Sequence, residues 1–186
     1  MVIIITGASH TGKTLLAQRM LEEYKYPYVS IDHIKMGLIR SGNTHLTPED
    51  DEELVEYLWP IVCEMIKTAI ENRQNLIVEG CYVPFEWRKD FTDEYLSKIK
   101  FICFAMTDKY IDSHFEDIRN HGSDIEKRLD DSDCTPDRLK EDNRKIIEGF
   151  IRAKDKVTLI DEDYEAAIEE ILEKNNLKKG DTFNVF

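Results

Sequence analysis

The sequence predicts an α/β fold of three layers, α/β/α, with five parallel strands at its centre. Two observations carry this. Five short apolar runs recur along the chain, and stretches with helical spacing separate them. Short buried strands alternating with helices need crossover connections, which place helices on both faces of a parallel sheet. With 186 residues, 41% of them hydrophobic, the chain suits one domain with one packed interior.

The expected strands are Val2–Ile5, Tyr28–Ser30, Leu76–Val78, Ile99–Phe104 and Val157–Ile160. The clearest helix is expected from Leu54 to Ile70, where Leu54, Leu58, Ile61, Met65 and Ala69 fall at helical spacing. Thr47-Pro48-Glu49-Asp50 reads as its start, a cap followed by proline and acids. Pro60 is expected to kink it. Tyr164, Ile168, Ile171 and Leu172 mark a C-terminal amphipathic helix. One stretch departs from the pattern. His121 to Asp142 is polar, mixed in charge and poor in large apolar residues. It reads as a flexible excursion over a site or as a solvated helix pair.

Composition narrows the function. A formal net charge of -13 argues against a nucleic-acid or anionic-membrane partner, since both need a basic footprint. No apolar run approaches the roughly 20 residues that cross a bilayer. The opening MVIIITGASH has no basic leader segment and reads as structure. The four cysteines lie far apart without a CxxC pair, so neither a zinc site nor a disulfide framework is expected, and a reducing cytoplasm fits. Cys63 and Cys103 are expected to be small buried hydrophobes.

One motif points to chemistry. Gly7-Ala8-Ser9-His10-Thr11-Gly12-Lys13-Thr14 matches G-x-x-x-x-G-K-[ST], with an apolar strand before it and Leu15-Leu16-Ala17-Gln18-Arg19-Met20-Leu21 after it as a helix. The glycines let the backbone wrap around phosphates, and the amides from Ser9 to Thr14 are expected to point inward as donors. Lys13 is expected to bridge the β- and γ-phosphates, and the Thr14 hydroxyl to coordinate Mg2+. The expected nucleotide contacts are Gly7, Ser9, His10, Thr11, Gly12, Lys13, Thr14 and Leu15. His10 reads as an exposed loop residue and not as a catalyst. A guanine-binding signature is missing, because Thr107-Asp108-Lys109-Tyr110 only superficially resembles one, and no D-x-x-G follows an apolar strand.

On these residues the chain resembles the P-loop kinases of the nucleoside-monophosphate-kinase-like and shikimate-kinase-like group. Within that group it is most similar to small kinases that phosphorylate hydroxyls, such as chloramphenicol phosphotransferase, the zeta-toxin group and 2-phosphoglycerate-kinase-like proteins. The resemblance implies a single kinase domain over residues 1–186 with a small helical lid inserted at about 119–142. It also implies ATP and Mg2+ as cofactors and a small-molecule phosphoryl acceptor.

The resemblance assigns further residues. In such kinases a strand ending in Ser-x-Asp sets a carboxylate beside the γ-phosphate, where it orients or deprotonates the acceptor hydroxyl. Ser30-Ile31-Asp32 maps that role onto Asp32; the alternative is that Asp32 caps a helix from His33 to Ile39. Lys35 and Arg40 are candidates to contact an anionic acceptor. Leu76-Ile77-Val78-Glu79-Gly80 ends an apolar strand in an acid and a glycine. Glu79 is expected to hold a magnesium-bound water or to position the acceptor, and Gly80 to turn the chain beside the substrate. Cys81-Tyr82-Val83-Pro84 stands where nucleotide-phosphorylating relatives carry Phe-Pro-Arg. Arg119 and Arg128 are the candidates for lid arginines that reach adenine or the transferring phosphate. Three readings follow: a kinase acting on a hydroxyl or phosphate of a small molecule, a nucleoside monophosphate kinase, and a non-catalytic NTP-binding switch.

Overall fold

The apolar runs become five strands that are all parallel, β1 (Val2–Gly7), β2 (Tyr28–Ser30), β3 (Leu76–Glu79), β4 (Ile99–Met106) and β5 (Thr158–Ile160). They lie side by side in the order β2-β3-β1-β4-β5. The structure, a computed structural model, describes residues 1–121 and 134–174. The helices are α1 (Lys13–Tyr24), α2 (Ile31–Arg40), α3 (Asp51–Glu71), α4 (Asp93–Leu96), α5 (Asp108–His121), α6 (Pro136–Arg152) and α7 (Tyr164–Lys174). A single 3-10 turn, Trp87–Asp90, precedes α4.

Side-chain alternation along β1 shows why helices cover both faces. Ile3 and Ile5 join Leu16 and Met20 of α1, Ile111 of α5 and Ile168 of α7 on one face. Val2 and Ile4 join Leu58 and Ile66 of α3 and Phe150 of α6 on the other. All six residues of β1 are buried, as a central parallel strand requires. Each fully buried Ile or Leu contributes about 1.5–3 kcal/mol.

Helix α3 corrects two expectations, its start and its inward face. It starts at Asp51, and Thr47-Pro48-Glu49-Asp50 forms a turn in front of it, with Thr47 N and Oγ1 both donating to Asp50 Oδ2. It runs unbroken from Asp51 to Glu71 with Pro60 inside. Its inward face is Leu54, Leu58, Trp59, Val62, Cys63, Ile66 and Ala69, whereas Ile61 is exposed. The apolar spacing is compatible with two neighbouring stripes, and only the sheet's position selects between them.

The expected lid is divided. Residues 122–133, including Arg128, lie outside the described residues. Residues 136–142 form the first turns of α6, whose Leu139 and Asn143 are buried. Asn143 Oδ1 accepts from Met106 N at 2.7 Å, which fastens α6 to the end of β4. The segment left for an inserted lid therefore stops before the Thr135 cap of α6. No described helix is long and apolar enough to cross a membrane.

Candidate active site

In a doubly wound sheet the ligand crevice lies at the C-terminal strand ends, where neighbouring strands send their connections to opposite faces. Here that place is between β1 and β3. The chain leaves β1 into α1 on one face, and leaves β3 into the Trp87–Asp90 turn on the other. The Gly7–Thr14 loop and Glu79 both emerge into this crevice.

The loop ends on Gly12, the N-cap of α1, in a left-handed conformation (φ 82°). No side chain caps this helix, and its first turn contains no acid. Its first N–H groups and the positive end of its dipole are thus left to an external anion. A Cβ at position 12 would meet the Tyr164 hydroxyl at 2.0 Å, so α7 presses directly on the loop. His10 also has positive φ, and its Nδ1 lies 3.0 Å from Ser9 Oγ. Thr11 is buried and donates through Oγ1 to Ala8 O at 2.9 Å, which braces the loop from within.

Lys13 is buried and folds back over the loop, donating from Nζ to Ala8 O at 2.6 Å. The nearby Cys81 thiol has its pKa pushed up by burial and by Asp32 and Glu79, while the Lys13 charge draws it down. The loop lysine, Cys81 and both candidate carboxylates therefore share one locus. One helical step on, Thr14 Oγ1 donates to Glu79 Oε2 at 3.3 Å. Glu79 is 1% exposed and pairs in register with Ile5 of β1. A hydroxyl and a buried carboxylate facing each other are oxygen donors of the kind Mg2+ takes, with phosphate oxygens and water completing its shell. Among the described residues no group of three or more His, Cys, Asp or Glu could hold a metal ion by itself.

Gly80 follows Glu79 with φ 156°, and a Cβ there would lie 2.9 Å from Ile31 Cβ. This close approach seats the start of α2 against the end of β3. Helix α2 begins at Ile31 with Ser30 as its N-cap residue, so Asp32 is not the cap. Asp32 lies inside the first turn, where the helix dipole favours a carboxylate. Lys35 Nζ lies 2.8 Å from Asp32 Oδ1 and donates to the Tyr82 hydroxyl at 2.7 Å. Tyr82 in turn donates to Asp51 Oδ1 at 3.0 Å. The chain Asp32–Lys35–Tyr82–Asp51 links α2, the segment after β3 and the start of α3. Burial, Asp32 and Asp51 all push the Tyr82 phenol pKa up, so it remains a hydrogen-bond donor.

The remaining candidates sit apart. Arg40 is exposed in the last turn of α2, about 12 Å along the helix axis from Asp32. Arg119 is exposed near the end of α5, with Nη2 3.4 Å from Glu116 Oε2. Asp163 caps α7, its Oδ1 accepting from Ala166 N at 3.1 Å. Leu15 continues α1 beyond Thr14. Sequence reasoning missed Tyr82, Asp51 and Tyr164. Tyr82 was visible only as part of a departure from a motif, and nothing local marks the other two as neighbours of the crevice.

No protein-family profile matches the chain, and no curated protein matches it in sequence. Solved structures do match. A sugar kinase from Janibacter sp. HTCC2649 superposes with a TM-score of 0.52 at 15% identity, over 96% of this chain and 95% of that one. A protein from Chloroflexus aurantiacus j-10-fl, provisionally described as a kinase, superposes with a TM-score of 0.50 at 17% identity, over 92% of this chain and 96% of that one. The similarity establishes a shared α/β fold with a five-stranded parallel sheet, spanning nearly the whole of each chain.

Proposed function

We propose that this chain is an ATP-dependent kinase that transfers the γ-phosphoryl group to a hydroxyl or phosphate of a small-molecule acceptor. The observation that carries the reading is the meeting of Lys13, Thr14 and buried Glu79 at one crevice, with the Thr14 hydroxyl 3.3 Å from the Glu79 carboxylate. The fold shared with a sugar kinase supports it.

The residues divide the work in physical terms. The uncapped α1 N-terminus and the loop amides bind phosphate oxygens. Lys13 exchanges its Ala8 carbonyl for the β- and γ-phosphates and neutralises charge that builds up during transfer. Thr14 and Glu79 would hold Mg2+, directly or through its water, and the ion would supply Lewis-acid stabilisation of the phosphoryl oxygens. Lys35 holds Asp32 Oδ1, which leaves Oδ2 to orient the acceptor hydroxyl and take its proton. Arg119, and Arg128 outside the described residues, are proposed to contact the transferring phosphate, a task that suits a planar and permanently charged guanidinium.

The test is ADP release by purified protein with Mg-ATP and a panel of acceptors, using Lys13→Ala, Asp32→Ala and Glu79→Gln beside the parent. One acceptor should raise ADP release, and Lys13→Ala and Asp32→Ala should abolish the increase. Glu79→Gln should raise the Mg2+ concentration needed for half-maximal nucleotide binding by about tenfold. ATP binding that depends on Lys13 but never on an acceptor for turnover would return the chain to a nucleotide-binding module.

A further inference from the structure

We infer that the phosphoryl acceptor is an uncharged or cationic polyhydroxyl compound, and not a phosphorylated or carboxylated one. The inference rests on the kinase reading and narrows its acceptor.

An acceptor whose hydroxyl is oriented by Asp32 must enter beside α2, the start of α3 and the Cys81–Tyr82 segment. Lys35 is the cation nearest Asp32 that a monoanionic acceptor would need, and the fold has already committed it. Its Nζ is 2.8 Å from Asp32 Oδ1 and 2.7 Å from the Tyr82 hydroxyl, and its side chain is only 12% exposed. It also lies 4.8 Å from the centroid of the Tyr82 ring, so its charge is partly absorbed by the π face. To meet an anion it would have to leave a carboxylate, a hydroxyl and an aromatic ring together.

The rest of the wall is acidic. Asp51 opens α3 and accepts from Tyr82, whereas the next residue, Glu52, turns to solvent with its side chain 89% exposed. Asp142 of α6 faces this turn. Burial raises its pKa first, Glu141 and Asp51 add to the rise, and Arg138 and Lys145 oppose it. Lys145 is itself 3.7 Å from Glu52. Lys35, the cation seated in this wall, is thus already paired with one of the wall's own carboxylates, and Lys13 is turned to the Gly7–Thr14 loop. Arg40 points to solvent at the far end of α2.

A phosphate or carboxylate on the acceptor would lose water and meet Asp32 and Asp51 beside a lysine that is already paired. Hydroxyls and ammonium groups suit the same wall, because carboxylates and the Tyr82 oxygen accept from them. The relay also makes the preference adjustable. Removing the Tyr82 hydroxyl strips Lys35 of one acceptor and returns a donor to the pocket.

The experiment uses acceptors of related carbon skeleton and different charge: glucose, glucosamine, gluconate and glucose 6-phosphate, with AMP alongside. It reads acceptor-stimulated ADP release as kcat/KM and, in parallel, equilibrium binding of each compound to the protein loaded with a non-hydrolysable ATP analogue. Glucose or glucosamine should exceed glucose 6-phosphate and gluconate by at least about tenfold, a modest like-charge penalty near a protein surface. Tyr82→Phe should narrow that ratio severalfold, and its melting temperature is checked for an intact fold. Best turnover or tightest binding by glucose 6-phosphate, gluconate or AMP would overturn this inference and leave the kinase reading standing. Turnover by none of them, with binding that still favours the neutral or amino compound, supports the charge preference while counting against the kinase reading.

Discussion

Gly12→Ala probes whether the phosphate loop is held from outside by α7. Two costs follow from the structure. The backbone at position 12 has φ 82°, and an L side chain there costs about 1–2 kcal/mol. The new methyl would also lie 2.0 Å from the Tyr164 hydroxyl and 3.0 Å from its Cζ. That ring packs against the core shared by α1 and α7, and Arg19 pairs bidentately with the adjacent Glu165 at 2.6 Å, so it cannot swing away freely. Overpacking of this kind costs about 1–3 kcal/mol. A sum near 3 kcal/mol predicts a melting temperature lower by about 6–12 °C in a chain of this size. The displaced loop should also lose ATP affinity by at least about tenfold.

Tyr164→Phe separates the two costs. The Tyr164 hydroxyl is buried without a hydrogen-bond partner, so its removal alone should be neutral or slightly stabilising. In the double variant Gly12→Ala/Tyr164→Phe the contact cost should recover and the backbone cost should remain, a difference read by thermal melting in a double-mutant cycle. Gly12→Ala melting within about 1 °C of the parent would refute both terms. Complete recovery in the double variant would show that the left-handed conformation carries no strain.

Other expectations follow from buried polar groups. Asp155 is almost fully buried and accepts from Trp87 Nε1 at 3.1 Å and from Arg88 Nη1. Asp155→Ala should cost about 2 kcal/mol, chiefly the unsatisfied indole N–H, because half-exposed Arg88 can rehydrate. Melting should fall by about 4–8 °C, and adding Trp87→Phe should restore part of it. Burial pushes the thiols of Cys63 and Cys103 from their ordinary value of 9.0 up to about 12. Their folded pKa is raised, so this contribution is complete below pH 9 and is lost as pH rises from 9 towards 12, where only the unfolded chain ionises. Denaturant titrations should show stability falling by about 1.4 kcal/mol per pH unit for each thiol in that window. Replacing both by alanine should lessen the slope and leave the part due to Cys81, Tyr82 and Tyr164, which burial also pushes up; an unchanged slope would show that these two thiols contribute nothing.

The fold class and the strand–loop–helix around Gly7–Thr14 were legible in the sequence because both depend on local spacing. A β-branched run such as Val2–Ile5, ended by glycine and followed by a helix, is determined by residues that are neighbours in the chain. The approximate strand positions were legible for the same reason, and the structure lengthens β1, β3 and β4 at their ends while β5 begins one residue later. The inward stripe of α3 was not legible, since Ile61 and Val62 are equally apolar and only the sheet chooses between them.

Contacts between chemically ordinary residues far apart in the chain were decided by the tertiary structure alone. Thr14 and Glu79 meet because β1 and β3 pair in parallel register, and no local pattern encodes which strands are neighbours. Lys35 read as a cation free for an anionic acceptor, until packing of α2, α3 and the Tyr82 segment gave it Asp32 and Tyr82 as partners. Charge is a property of a residue, but the charge a ligand feels is a property of the whole wall, because carboxylates brought in by other elements neutralise it. The sequence by itself therefore determined the Gly7–Thr14 loop, whose pattern lies in contiguous residues. The wall around Asp32 is assembled from separate segments, α2, the start of α3 and the residues after β3, and only the folded chain brings them together.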